Sequence, residues 1–206
     1  MRASSAWHAR SACAASIAFV VEEIERRAED VLARVPAWIW DGESLPVPVE
    51  DLADSVYGLL VREVEDMSAA PGAPALGPGQ TLSGLLLPAA GEIWVNAAEA
   101  REWPGRRRFT VGHELGHWIL HSEARNEAVF CRTPAVDPEK EGEPRQERPL
   151  PESEADAFAA ALLMPAALLR AEYERDRDFA RLCAAFGSSR AAMGKRLHAV
   201  IPRRER

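Results

Sequence analysis

The stretch Thr110-Val111-Gly112-His113-Glu114-Leu115-Gly116-His117-Trp118-Ile119-Leu120-His121 decides how this chain folds. Residues four apart share a face of an α-helix, so His113 and His117 present two imidazoles one turn apart, within reach of one metal ion. Glu114 is turned about 100° from His113, where a carboxylate can serve as base toward a water polarised by the metal. His113 and His117 are therefore candidate metal ligands, and Glu114 is the candidate catalytic base.

Read as a helix with Thr110 as N-cap and an end near His121, the segment sorts into faces. Val111, Leu115, Trp118 and Ile119 make an apolar stripe. Gly112 and Gly116 lie side by side between that stripe and the histidines, where each costs about 1 kcal/mol of helix propensity. Two such costs imply that another backbone packs against the glycine strip. Little surface is left for water, so the helix is expected to be central and buried, with histidines that need partners. His121 falls about 12 Å along the axis from His113, too far to share its metal. It is expected to support a ligand, cap the helix, face substrate or simply pack at the helix end.

A third ligand has to come from elsewhere, and Pro151-Glu152-Ser153-Glu154-Ala155-Asp156-Ala157-Phe158-Ala159 is the best source. Proline and acids in a first turn, then Ala155, Phe158, Ala159 and Leu162 on one face before Pro165, read as a second helix. Glu152 and Glu154 flank that face on opposite sides, and helical geometry alone does not choose between them.

The run from Arg106 to His121, followed by Glu154-Ala155-Asp156-Ala157-Phe158-Ala159-Ala160-Ala161-Leu162-Leu163-Met164-Pro165, resembles the ImmA/IrrE family of metallopeptidases. Glu92-Ile93-Trp94-Val95-Asn96 is similar to the strand before that family's zinc helix, and Leu45-Pro46-Val47-Pro48-Val49 matches more loosely. Gly112 stands where the family usually has Ala, and Asp156 where it has Asn. The resemblance implies an α+β, zincin-like core, mostly helical with a small sheet beside the HExxH helix. It implies Zn²⁺ held by His113, His117 and the glutamate just before the alanine of the second motif, which is Glu154 here. The activity it implies is that of a zinc-dependent endopeptidase in which Glu114 moves the proton. The expected substrate is a regulatory protein such as a transcriptional repressor.

The remaining chain frames this site. With 206 residues, 47% of them apolar, one good core can form. The expected organisation is a helical extension over 1–44, the metallopeptidase core over 45–170 and a helical segment over 171–206 packed on it. Cys13, Cys131 and Cys183 are odd in number with no CxxC spacing, which argues against a disulfide framework and for the cytoplasm. No segment is long enough to span a membrane. Ala12 to Val21 weakly resembles a signal peptide but has no convincing cleavage site, and the apolar spacing continues as a helix over about 16–34. A second helix is expected near 49–65 and a Pro/Gly linker over 68–80. Strands are expected over 82–87 and 92–96, one of them an edge that aligns substrate. The Pro-rich segment 131–150 is expected to be a loop, either a substrate gate or a solvated tether.

Asp178–Phe186 and Ser189–His198 have the rhythm of a helix-turn-helix, and Lys195, Arg196, Arg203, Arg204 and Arg206 make the tail basic. A DNA-binding or protein-binding regulator that keeps a metal for stability is the rival reading. A net charge of −7 weighs against it. His121, Tyr173 and His198 are candidates by chemistry to stabilise an oxyanion.

Overall fold

A computed structural model describes residues 20–71, 73, 81–121, 129–133 and 149–202. Four strands, β1 (Leu60–Val64), β2 (Thr81–Leu87), β3 (Glu92–Asn96) and β4 (Val129–Thr133), form one sheet in the order β1-β3-β2-β4. β1 is parallel to β3, and β2 is antiparallel to both β3 and β4. Leu86, Ile93 and Val95 face the main core, whereas Leu85 and Leu87 pack with Met67 and Ala70 on the opposite face. Alternation along the strands thus buries both sides of β2.

The helices are α1 (residues 20–32), α2 (from Val49, its last part a π-helical turn over Leu52–Val56), α3 (Ala97–Glu102) and α4 (Pro104–Leu120). They continue as α5 (Leu150–Leu163), α6 (Ala166–Arg175), α7 (Phe179–Phe186) and α8 (Arg190–Val200). The result is an α+β architecture, mostly helical with a small sheet against the His-Glu helix. One buried apolar cluster takes in Ile24 of α1, Val111 and Leu115 of α4, Phe158 and Leu162 of α5, and Met193 of α8. Among the described residues no helix is long and apolar enough to cross a membrane.

Several expectations are corrected. The helix expected over 49–65 ends before Gly58, whose φ of +68° turns the chain into β1. Leu60 and Val64 fit helical spacing as well as strand spacing, and Leu60 is half exposed. α4 begins at Pro104, not Thr110, because the run Arg106-Arg107-Arg108 is anchored in the helix. Arg107 pairs with Glu50 and Glu63, and Arg108 donates to the Val47 carbonyl. Neither expected strand is an edge: β3 lies between β1 and β2, and β2 between β3 and β4. The edge beside β2 is β4, within a stretch that includes part of the expected 131–150 loop, whose residues 134–148 lie outside the described ones.

α7 and α8 follow their local signals. Asp178 accepts from the Arg181 amide, Gly187 closes α7 at φ +58°, and Ser189 accepts from the Ala192 amide.

Candidate metal centre

The glycine strip sets the spacing of the site. A Cβ on Gly112 would lie 3.3 Å from the Ala159 Cβ, and one on Gly116 would lie 3.2 Å from the Ala155 Cα. As α4 advances from 112 to 116, α5 retreats from 159 to 155, so the two helices run antiparallel at close range. That closeness lets the histidine face of α4 meet the acids of α5.

His113 Nε2 and His117 Nε2 are 3.1 Å apart. The Glu152 carboxylate closes the cluster, with Oε2 3.4 Å from His113 Nε2 and Oε1 3.2 Å from His117 Nε2. One ligand atom from each of the three residues lies within 4.8 Å of the others. Glu154, the third partner that the resemblance implies, is not brought to the two imidazoles: its Oε2 sits 2.9 Å from His121 Nε2 instead. The reason is helical. Glu152 stands four positions before Asp156 on the flank that faces His113 and His117, while Glu154 lies on the other flank of the Ala155–Ala159 contact. His121 has already left the helix, with φ −116° and ψ 97°.

Asp156, which the sequence reading passed over as a mild departure, accepts a hydrogen bond from His113 Nδ1 at 2.9 Å. Its spacing from Glu152 was the available signal. A carboxylate has no proton to give, so His113 carries its hydrogen on Nδ1 and turns a bare Nε2 toward the cluster. Burial holds His117 below its ordinary value. Burial would raise Glu152, but its contacts with the His113 and His117 imidazoles outweigh that and hold it well below the usual carboxylate range.

Glu114 is fully buried, and neither carboxylate oxygen has a hydrogen-bond partner among the described residues. Burial pushes its pKa up to about 8, opposed by His113 and aided by Glu152. The room for it comes from β2. The register with β4 shifts between Leu82 and Gly84, and a Cβ at Gly84 would stand 2.7 Å from Glu114 Oε1 and collide with Thr110 Cγ2. Buried imidazole nitrogens turned on one another beside a carboxylate lack a positive charge at their centre. Two imidazoles and one carboxylate, with an orphaned acid alongside, fit a divalent cation of the zinc type with a coordination position to spare.

A cavity of about 510 Å³ borders His113 and Asp156 and is also lined by Phe109, Thr110, Ala160 and Lys195. The other residues considered as oxyanion donors have different surroundings: Tyr173 lies beneath the Arg177 guanidinium, and His198 Nδ1 is bonded to the Gly194 carbonyl. Arg196, counted with the basic tail, is buried, donating to the Met164 carbonyl at 2.9 Å and pairing with Glu25.

The family model described as the IrrE N-terminal-like domain, peptidase M78, matches residues 82–198, more than half of the chain. A solved structure described as a Mycobacterium tuberculosis transcriptional regulator is similar, with a TM-score of 0.53 and 18% identity, over 91% of this chain and 48% of that one. The chain thus spans about half the length of that protein, and at this identity the likeness speaks to the fold. No curated protein matches the chain.

Proposed function

The chain belongs to the IrrE N-terminal-like family, peptidase M78, and from that premise we propose that it is a zinc-dependent endopeptidase acting on a regulatory protein. The observation that carries this reading is the meeting of His113, His117 and Glu152 beside a buried, unpartnered Glu114. The three residues would hold Zn²⁺, which when bound supplies Lewis acidity to the scissile carbonyl and to water.

Glu114 does the proton work. Its carboxylate takes a proton from the attacking water and returns it to the leaving amine. A divalent cation beside Glu114 would oppose the burial that raises it and favour the carboxylate that takes the proton. Gly84 keeps the space beside Glu114 free of any β2 side chain. β4 pairs with β2 along one side only among the described strands, and its other side would offer backbone groups to an extended peptide. The 510 Å³ cavity, mainly apolar with Lys195 among its lining residues, would receive a substrate side chain. A cytoplasmic repressor is the substrate class we favour, in line with the resemblance of the two motifs.

The alternative is a metal-stabilised regulator without proteolysis. It draws on the α7–α8 pair and on the similar structure's description as a transcriptional regulator. Against it, Arg196 is committed to Glu25 and to the Met164 carbonyl. Metal analysis after chelation and reloading tests the main reading: the chain should take up close to one zinc, and His113→Ala or His117→Ala should remove it. Equal zinc in all three proteins would overturn it.

A further inference from the structure

We infer that His121 and Glu154 form a positioning relay for His117, the counterpart of what Asp156 does for His113. The inference rests on the reading of His117 as a ligand. It accounts for two residues of the paired motifs that the metal cluster itself leaves unused.

Three contacts in series make the relay. Glu154 Oε2 is 2.9 Å from His121 Nε2, and His121 Nδ1 is 3.1 Å from His117 Nδ1. His117 Nε2 then faces His113 Nε2 and Glu152. The rings of His117 and His121 are tilted by 49° with centroids 5.2 Å apart, so they meet through their nitrogens rather than by stacking.

Proton placement follows from the far end. The Glu154 carboxylate can only accept, so His121 carries its hydrogen on Nε2. Neutral His121 then offers a lone pair at Nδ1, and the hydrogen between the two rings belongs to His117 Nδ1. His117 is left with a bare Nε2 aimed at the cluster, which is the tautomer a metal ligand needs. Were the direction reversed, His117 would carry its proton on Nε2 and could not ligate. His117 reaches a carboxylate only through a second ring, because His121 occupies its outer side where Asp156 occupies that of His113. The backbone break at His121 is part of the device, since the extended φ and ψ there take the ring off the helical path and toward α5.

The test is zinc affinity of the full chain, measured by competition with a chromophoric chelator. His121→Phe keeps an aromatic ring but removes the acceptor and should weaken zinc binding by about 10–100-fold. His121→Asn places an amide oxygen near the former Nδ1 and should recover part of that loss. Glu154→Gln, which keeps the shape but removes the charge, should also weaken binding. Wild-type affinity in His121→Phe or in Glu154→Gln, or no recovery in His121→Asn, would overturn the relay. A readout without any variant is the ¹⁵N spectrum of the histidine-labelled, zinc-loaded chain: His121 with its hydrogen on Nε2 and a bare Nδ1 is expected, and a His121 hydrogen on Nδ1 refutes the inference. Failure of the metal reading is seen separately, as unchanged zinc affinity in His113→Ala.

Discussion

Glu152 and Glu154 are two residues apart, chemically identical, and placed in different company. Glu152 meets both imidazoles of the cluster, and Glu154 meets His121. Glu152→Ala should therefore cost most of the bound zinc, whereas Glu154→Ala should still fill at saturating metal but hold it less tightly. Metal content after dialysis against graded chelator gives the ranking, and the opposite order would return the ligand role to Glu154. Glu114→Gln separates chemistry from structure. It keeps size and removes the base, so zinc content should stay near wild type while peptide hydrolysis falls by about 10²–10⁴-fold. Hydrolysis at the wild-type rate would take the proton transfer away from Glu114. At this scale the sequence was legible where the chemistry repeats at helical spacing, as for His113 and His117. It was not legible for the third partner, because choosing between two flanks of α5 needs the rotation of that helix against α4, a tertiary quantity.

Between elements, the absence of side chains governs distance. Gly112 and Gly116 were readable in advance as a strip that another backbone covers, and α5 does cover it through Ala155 and Ala159. Gly84 carried no such signal, since its meaning depends on a register shift between β2 and β4. Gly84→Ala sets a methyl against Glu114 and Thr110, so the strand must lift or the acid must turn. We expect a stability loss of about 1–3 kcal/mol from overpacking, and a fall in hydrolysis larger than any fall in zinc binding. Chemical denaturation and metal analysis on the same preparation check both parts; unchanged hydrolysis would show that Glu114 does not depend on this clearance. The misread boundary between α2 and β1 has a similar origin. Leu60 and Val64 satisfy either period, and pairing with β3 over Leu60↔Glu92 to Val64↔Asn96 decides for the strand.

At the level of the whole molecule, α1, α5 and α8 are joined by a single guanidinium. Arg196 is 4% exposed, and removing it leaves the Met164 carbonyl and Glu25 without their partner. Arg196→Ala should destabilise by on the order of 3 kcal/mol, read as a shift in the denaturation midpoint. A variant as stable as wild type would mean the tie is replaceable by water. The same residue bears on nucleic acid. With Arg196 committed inward and a net charge of −7, the chain should elute from immobilised DNA at low salt, and steeply salt-dependent retention would restore the regulator reading. Basic residues at the end of α8 were countable from the sequence, but which of them faces inward was not, because burial of one arginine depends on a glutamate far away along the chain.

That separation has a consequence for synthesis. Glu25 and Arg196 are 171 positions apart, so α1 leaves the ribosome long before the helix that holds it exists. Until α8 emerges, Ile24, Ala28 and Val31 have lost water without gaining their full apolar company, or stay exposed to whatever else is nearby. The two helices that carry the histidines and Glu152 can meet earlier, but their bracing waits for α8. A nascent chain stalled within α7 should thus be captured by chaperones that bind exposed apolar helices, and extension past α8 should end that capture.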